Sequence, residues 1–332
     1  MKTKTVIVAS HNKDQSALLV MQRLAELGQK AYLIDFGEFP ASMSGTMLFE
    51  KTARTSIGLP DVPILHRDSV KSIWWRRPQG AVKSTQLSML QKYVRNESEI
   101  ALSCILAFLE DVLWVSEPEA TRIANRKPLQ LSLASQIGFH VPETCISNDP
   151  DQVSAFIARH SGTPLIMKAV GSSYVRLTND PRQLRDNRAI YTKIVDPDLL
   201  LANIGQVKNC PFILQEAVIK DSDIRITVVG DRVFACEIII EKNPDVQNLD
   251  WRHHDVKRKY IMHKLPKELE HKCISLVCGL KLRFGCIDMG LSKRNGYSFF
   301  EINPQGQWMP SEKIVGHPIS LTLARLLSCR RY

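Results

Sequence analysis

Three oxygen-bearing side chains near the C-terminus have the spacing of a cation site. They lie in Cys286-Ile287-Asp288-Met289-Gly290-Leu291, then Lys293-Arg294-Asn295-Gly296, then Tyr297-Ser298-Phe299-Phe300-Glu301-Ile302-Asn303-Pro304. Asn-Gly between two β-patterned runs predicts a two-residue type I′ hairpin. With Asn295 and Gly296 as the turn, Asp288 faces Asn303 and Gly290 faces Glu301. Alternation then puts Asp288, Glu301 and Asn303 on one face. Ile287, Met289, Leu291, Phe300 and Ile302 fall on the other. Two carboxylates and an amide oxygen beside a glycine make a hard-cation site, and Mg²⁺ with a nucleotide is its commonest use. The competing reading is a solvated face of an antiparallel hairpin.

Upstream residues could serve an anion. Lys168 ends an apolar run just before Gly171-Ser172-Ser173. A lysine there can reach phosphate oxygens while small residues let backbone N–H groups approach. Lys127 could do the same, and either lysine could simply snorkel at the surface. Gln215-Glu216-Ala217-Val218 closes one strand pattern, and its backbone could bond an adenine edge. Asp223 and Arg225 are two apart on a strand and share a face. The carboxylate could hold a ribose hydroxyl, and the guanidinium could clamp a phosphate. A cross-strand ion pair is the plainer account. The sequence contains no Gly-x-x-x-x-Gly-Lys loop, no Gly-x-Ser-x-Gly elbow and no His-Glu-x-x-His.

The elements that must position these residues read as α/β at first and mostly β later. Thr5 to Ala9, a helix from Ser16 to Leu27 ended by Gly28, and Ala31 to Asp35 form strand, helix, strand. The connection at His11 to Asp14 has no glycine, so it is not a dinucleotide fingerprint. Ser72 to Pro78 is a strand, followed by a helix to about Glu110. Ser116-Glu117-Pro118 starts the next unit. A break falls at 125–128, where the pre-proline Lys127 is expected outside the helical region. Helices follow to Gly138, at Asp151 to His160 and at Pro197 to Val207. Strands are expected at 144–147, 164–170, 189–195 and 212–218. Gly230-Asp231 joins two strands, Asp223 to Val229 and Arg232 to Ile240, as a second tight hairpin. Pro266 to Leu280 is helical. The division is 1–116, 117–214 and 215–332.

The chain of 332 residues is long enough for two or three packed units. Its 44 Lys and Arg against 34 Asp and Glu leave a net charge of +10, which favours an anionic partner: nucleotide, nucleic acid or acidic peptide. The densest basic stretch, Arg252 to Lys259, lacks the interleaved aromatics of an RNA-binding sheet. Apolar runs are too short to span a membrane, and the N-terminus turns polar too quickly for a signal peptide. The eight cysteines form no Cys-x-x-Cys pair. Most sit in apolar runs and read as buried small hydrophobes in a reducing cytoplasm. A zinc cluster of His271, Cys273 and Cys278 has no apparent fourth ligand.

The ordered set Lys127, Lys168 with its small-residue loop, Gln215-Glu216, Asp223-Ile224-Arg225, Asp288 and Glu301-Ile302-Asn303-Pro304 resembles the ATP-grasp superfamily. Further segments are similar to the microviridin-type (graspetide) peptide maturases. These are Asp35-Phe36-Gly37-Glu38-Phe39-Pro40, Trp74-Trp75-Arg76-Arg77-Pro78, Asp250-Trp251-Arg252 and Gln305-Gly306-Gln307-Trp308. The resemblance covers nearly the whole chain. It implies an ATP-grasp fold behind a Rossmann-like pre-ATP-grasp domain. It implies that Lys127, Lys168, Ser172 and Ser173 contact ATP phosphates, Gln215, Glu216, Ala217 and Val218 bind adenine, and Asp223 binds ribose. Asp288, Glu301 and Asn303 would hold Mg²⁺, expected as two ions. Arg225 and Arg252 would stabilise the transferring phosphoryl group. The loop at 171–173 is poorer in glycine than in many such enzymes.

The implied activity is ATP-dependent ligation within a ribosomal precursor peptide, in which Asp or Glu carboxylates become acyl phosphates and then ω-esters or ω-amides. The expected partner is that peptide, a leader plus an acidic core. Neither a nucleic acid nor a membrane is expected, the compartment is the cytoplasm, and a homodimer is left open. Two rivals remain: a ligase adding free amino acids to a protein or peptide, and a non-catalytic basic peptide- or nucleic-acid-binding protein.

Overall fold

The computed structural model describes residues 4–50, 53–59, 62–78, 88–109, 112–171, 174–175, 188–189, 192–240 and 257–329. The N-terminal unit runs β1 (Thr5–Ser10), α1 (Gln15–Glu26), β2 (Ala31–Ile34), β3 (Ser44–Phe49), β4 (Ala53–Leu59), β5 (Val62–His66), β6 (Val70–Arg77), α2 (Met89–Ala107) and β7 (Leu113–Val115). A parallel sheet has the order β2-β1-β6-β7, and β3-β4-β5 form a separate antiparallel meander. β1 is buried at every position, as a parallel strand covered on both faces must be. Asp14 caps α1 by accepting from the Ser16 N–H, and Gly28 follows the helix at φ +66°. The α1 cap and the carboxyl end of β6 therefore lie together, on the side where parallel sheets bind ligands.

The central unit comprises α3 (Pro118–Ala124), α4 (Lys127–Ile137), β8 (Thr144–Ser147), α5 (Pro150–Arg159), β9 (Leu165–Lys168), β10 (Tyr174–Val175), β11 (Arg188–Ala189), β12 (Lys193–Ile194), α6 (Pro197–Ala202) and β13 (Phe212–Glu216). Its antiparallel sheet has the order β12-β9-β13-β8. β13 crosses position 214/215, so the whole strand belongs to this sheet. The strand expected over 189–195 divides, with Ala189 pairing with Tyr174 while Lys193 and Ile194 join β9. Lys127 is the first residue of α4 rather than a residue outside it, and the extended conformation falls on Arg126 (ψ 102°). Pro128 forfeits no intrahelical bond in a first turn, so the helix can start there.

The C-terminal unit holds β14 (Ser222–Val229), β15 (Arg232–Ile240), β16 (Arg258–His263), α7 (Lys267–Gly279), β17 (Phe284–Ser292), β18 (Gly296–Asn303), α8 (Met309–Lys313) and α9 (Ile319–Ser328). Its antiparallel sheet has the order β16-β15-β14-β17-β18. One face buries Ile224, Ile226, Ile287, Met289, Phe299 and Ile302 against side chains of α3, α4 and α7. At one end of the other face, Val229, Phe284 and Cys286 pack with Val6, Val8 and Trp74 of the N-terminal unit and with α9. α9 is tied to β6 by the Ser72 hydroxyl, which donates to the Leu327 carbonyl at 2.7 Å.

The β17–β18 hairpin differs from the expected one. Ser292 pairs with Gly296, so the loop is Lys293-Arg294-Asn295 and Gly296 closes it at φ +74°. Asp288 faces Glu301, Gly290 faces Ser298, and Asn303 faces Cys286. A bulge between these pairs leaves Phe300 as the extra residue. Phe299 therefore takes the core position expected for Phe300 and meets Phe139 at 5.4 Å between ring centroids. Gly290 makes room for the displaced ring: a Cβ there would lie 2.6 Å from Phe300 Cζ.

The cysteines also depart from expectation. Cys236, Cys273 and Cys286 are buried, whereas Cys104, Cys210, Cys278 and Cys329 are exposed. Helix α7 thus sends Cys273 into the core and Cys278 to the surface, which separates two members of the supposed zinc cluster.

Candidate active site

Strand pairing alone builds the centre of the site. Arg225 on β14 lies opposite Asp288 on β17, which lies opposite Glu301 on β18. The Arg225 Nη1 donates to both Asp288 oxygens, at 2.6 and 2.7 Å. Burial works against the Arg225 charge, but Asp288 beside it lifts its pKa above the ordinary guanidinium value. Lys127 reaches across from α4 and donates to Glu301 Oε2 at 2.7 Å. Asn303 is exposed on the same face, and its Oδ1 accepts from the Gln305 N–H at 2.9 Å. The expected one-face grouping of Asp288, Glu301 and Asn303 thus persists under a different register. The donor chemistry fits a hard cation: two carboxylates and one amide oxygen, with no soft ligand required. Arg225 and Lys127 supply countercharge to those same carboxylates.

A second cluster lies on the approach from the central unit. Lys168 donates to Gln215 Oε1 at 2.7 Å, and Gln215 in turn donates to the Thr144 hydroxyl at 2.7 Å. Lys220 contacts the Asp223 carboxylate. Both ammonium groups lie 5.4 Å from the centroid of the Phe300 ring. In the segment expected to meet adenine, the Glu216 N–H donates to the Glu143 carbonyl and the Ala217 N–H to the Pro164 carbonyl. Those two residues therefore have no backbone donor left for a base. Ser172, Ser173 and Arg252, with the whole Asp250-Trp251-Arg252 segment, lie outside the described residues.

Sequence reasoning missed Lys220, Phe300 and the contacts made by the N-terminal unit. The adjacent aromatics Phe299-Phe300 break the period of two, which is the trace a bulge leaves in a sequence. The N-terminal contacts join two segments that are far apart in the chain. Arg76 Nη1 donates to the Gln305 carbonyl at 2.6 Å and to the Gly306 carbonyl at 2.7 Å. The Ser16 hydroxyl donates to Gln307 Oε1, and Arg225 donates to the Gln307 carbonyl at 3.0 Å. A Cβ on Gly306 would meet the Cys286 side chain and come within 2.7 Å of Arg225 Nη2. Trp74-Trp75-Arg76-Arg77-Pro78 and Gln305-Gly306-Gln307-Trp308 are thus two halves of one joint against the site.

Fold and sequence together place the chain in a known class. Residues 124–327 match the RimK-like ATP-grasp domain, and the chain belongs to that family. Residues 5–122 match the MvdD pre-ATP grasp domain. No curated protein matches the sequence. Among solved structures, the chain resembles the macrocyclase MdnC of Microcystis aeruginosa MRC, bound with precursor peptide MdnA. Identity is 26%, the TM-score is 0.82, and the match covers 98% of this chain and 99% of that one. A Chryseobacterium gregarium RiPP-associated ATP-grasp ligase, in complex with ADP and a leader and core peptide, has the same fold. It is 24% identical with a TM-score of 0.84, over 99% of this chain and 98% of that one. The M. aeruginosa macrocyclase MdnB is also 24% identical, with a TM-score of 0.76 over 98% of this chain and 99% of that one. Among the described residues no helix is long and apolar enough to cross a membrane.

Proposed function

We propose that this protein is an ATP-dependent ligase that joins side chains of a ribosomally made precursor peptide. The observation that carries the reading is the Arg225–Asp288–Glu301 row with Lys127 on Glu301. It lies against a joint built from two of the segments that resemble peptide maturases. The 26% identity to a macrocyclase bound with its precursor peptide supports the same reading.

The chemistry follows from charge. Mg²⁺, held by Asp288, Glu301 and Asn303, would neutralise ATP phosphates. Lys127 and Lys168 would add positive charge on the nucleotide, and Arg225 would stabilise the phosphoryl group as it transfers. An oxygen of an Asp or Glu side chain attacks the terminal phosphorus, and ADP leaves with the bonding electron pair. The resulting acyl phosphate is a better electrophile than the carboxylate. A Ser or Thr hydroxyl of the same peptide then attacks the acyl carbon to give an ω-ester, or a Lys amine gives an ω-amide. Phosphate departs, and the attacking group loses its proton. The protein mostly aligns reactants and offsets charge.

Incubation with a candidate precursor peptide that carries Asp or Glu together with Ser, Thr or Lys, in the presence of ATP and Mg²⁺, tests this. The peptide should lose the mass of one water per ring. Mass gain would instead indicate addition of free amino acids. An unchanged mass, with ADP release indifferent to the peptide, overturns the reading.

A further inference from the structure

A ligase of this kind must hold the carboxylate to be activated close to the phosphates. The end of β6 supplies a group for this. β1 and β6 pair Ala9 with Trp75 and Ser10 with Arg77, so Arg76 is an extra residue in the ladder. Such a bulge re-aims side chains, and here two consecutive guanidiniums reach the same carbonyl. Arg76 Nη1 and Arg77 Nη2 donate to the Gln305 oxygen at 2.6 and 2.8 Å.

The two arginines differ in charge balance. Arg76 is fully buried, and Asp14 lies 3.1 Å from it. Arg77 is half-buried, and among the described residues no carboxylate forms an ion pair with it. None of its nitrogens is among the buried atoms that lack a hydrogen bond, so those not bonded to Gln305 reach solvent. Burial draws the Arg77 pKa down, Asp14 pulls it up from a distance, and Arg225 repels it. Among the described residues, direct ion pairs join Arg76 to Asp14 and Arg225 to Asp288, and none joins Arg77 to a carboxylate. The Arg77 charge stands beside the row proposed to hold the metal and phosphates.

A half-buried guanidinium gives up hydration, and the distant attraction of Asp14 returns less than a direct ion pair would. Its planar fork suits a carboxylate, which it can bind through two parallel hydrogen bonds. We propose that Arg77 binds the peptide carboxylate that is to be activated and so selects Asp or Glu side chains over their amides. This rests on the ligase reading above. Arg77 exchanges no proton and only orients the attacking oxygen.

The test uses the full-length protein with Mg²⁺ and AMPPNP, the precursor peptide, and a second version of that peptide with Asn and Gln in place of Asp and Glu. Wild type should bind the acidic form more tightly, on the order of 10- to 100-fold, as charge-assisted hydrogen bonds allow. Arg77→Gln should lose this preference while keeping wild-type affinity for AMPPNP and for the amide peptide. Arg77→Lys should keep part of it. The assignment is overturned if Arg77→Gln retains the preference, or if it raises the KM for ATP instead of the KM for peptide, which would place Arg77 on a phosphate. A wild type that forms no ring, paired with an Arg77→Gln variant that alone loses the preference, would refute the ligase chemistry and leave the carboxylate assignment standing.

Discussion

Arg225 and Asp288 are cross-strand partners on β14 and β17, and one guanidinium nitrogen holds both carboxylate oxygens at 2.6 and 2.7 Å. The ion pair is the plainer of the two accounts the sequence allowed for Arg225, yet its partner is one of the residues suited to a cation. Asp288→Asn should lower turnover by at least about 10²-fold, the usual scale for losing one element of charge stabilisation. It also leaves Arg225 buried without its anion, at a cost of about 3–5 kcal/mol. Steady-state ADP release and chemical denaturation measure the two effects. Turnover at the wild-type rate would remove Asp288 from the mechanism.

Lys127 and Glu301 are separable by their readouts. Both side chains are only about one-fifth exposed, at 18% and 20%, so the cost of desolvating them offsets much of their mutual attraction. Lys127→Met should weaken AMPPNP binding about 10-fold or more, in line with losing a charge-assisted hydrogen bond to phosphate. Glu301→Ala should abolish turnover and the Mg²⁺-dependent part of nucleotide binding while sparing peptide binding. Calorimetric titration with and without Mg²⁺ distinguishes these outcomes. Equal Mg²⁺ dependence in wild type and Glu301→Ala would count against the metal assignment.

Arg76 is a structural cation. Burial, then the neighbouring Arg77, draw its pKa down to about 10, while Asp14 pulls the other way. Burial likewise opposes the Asp14 charge, but Arg76, the Ser16 N–H and the Ser10 hydroxyl together hold its carboxyl below the ordinary 3.8. Arg76→Met should therefore destabilise the protein by about 3–5 kcal/mol, since it strands a buried carboxylate. The sign of the pH dependence follows from the lowered carboxyl. Its stabilisation is complete above pH 3.8 and is lost as the pH falls through the lower folded-state value. Denaturant titrations of wild type and Arg76→Met should accordingly converge in acid and stay apart at neutral pH.

Gly306 is required by proximity. A methyl group there meets Cys286 and lies 2.7 Å from Arg225 Nη2. Gly306→Ala should cost about 1–3 kcal/mol as overpacking. Because the displaced atom belongs to Arg225, turnover should fall by more than peptide binding does. A variant with unchanged stability and unchanged kcat would show that the turn can shift freely.

The sequence by itself determined the elements and the chemistry at their ends. Apolar runs with a period of two or near 3.6, closed by Gly28, Gly138 and the Gly230-Asp231 turn, located most strands and helices, because local sterics and amphipathicity act over a few residues. Alternation also sufficed to put Asp288, Glu301 and Asn303 on one face. Only the tertiary structure decided which residues oppose one another. The type I′ register expected from Asn295-Gly296 gave way to a three-residue loop and a bulge, with Phe299 opposite Met289 in the core and Phe300 near Lys168 and Lys220. Likewise, Arg76 and Gln305 are 229 positions apart. Their contact depends on the N-terminal and C-terminal units packing together, a long-range event that local patterning does not encode. The candidate cation site was legible because its three proposed ligands lie on one hairpin; the contacts of Arg76 and Arg77 with Gln305 were not, because those arginines come from another unit.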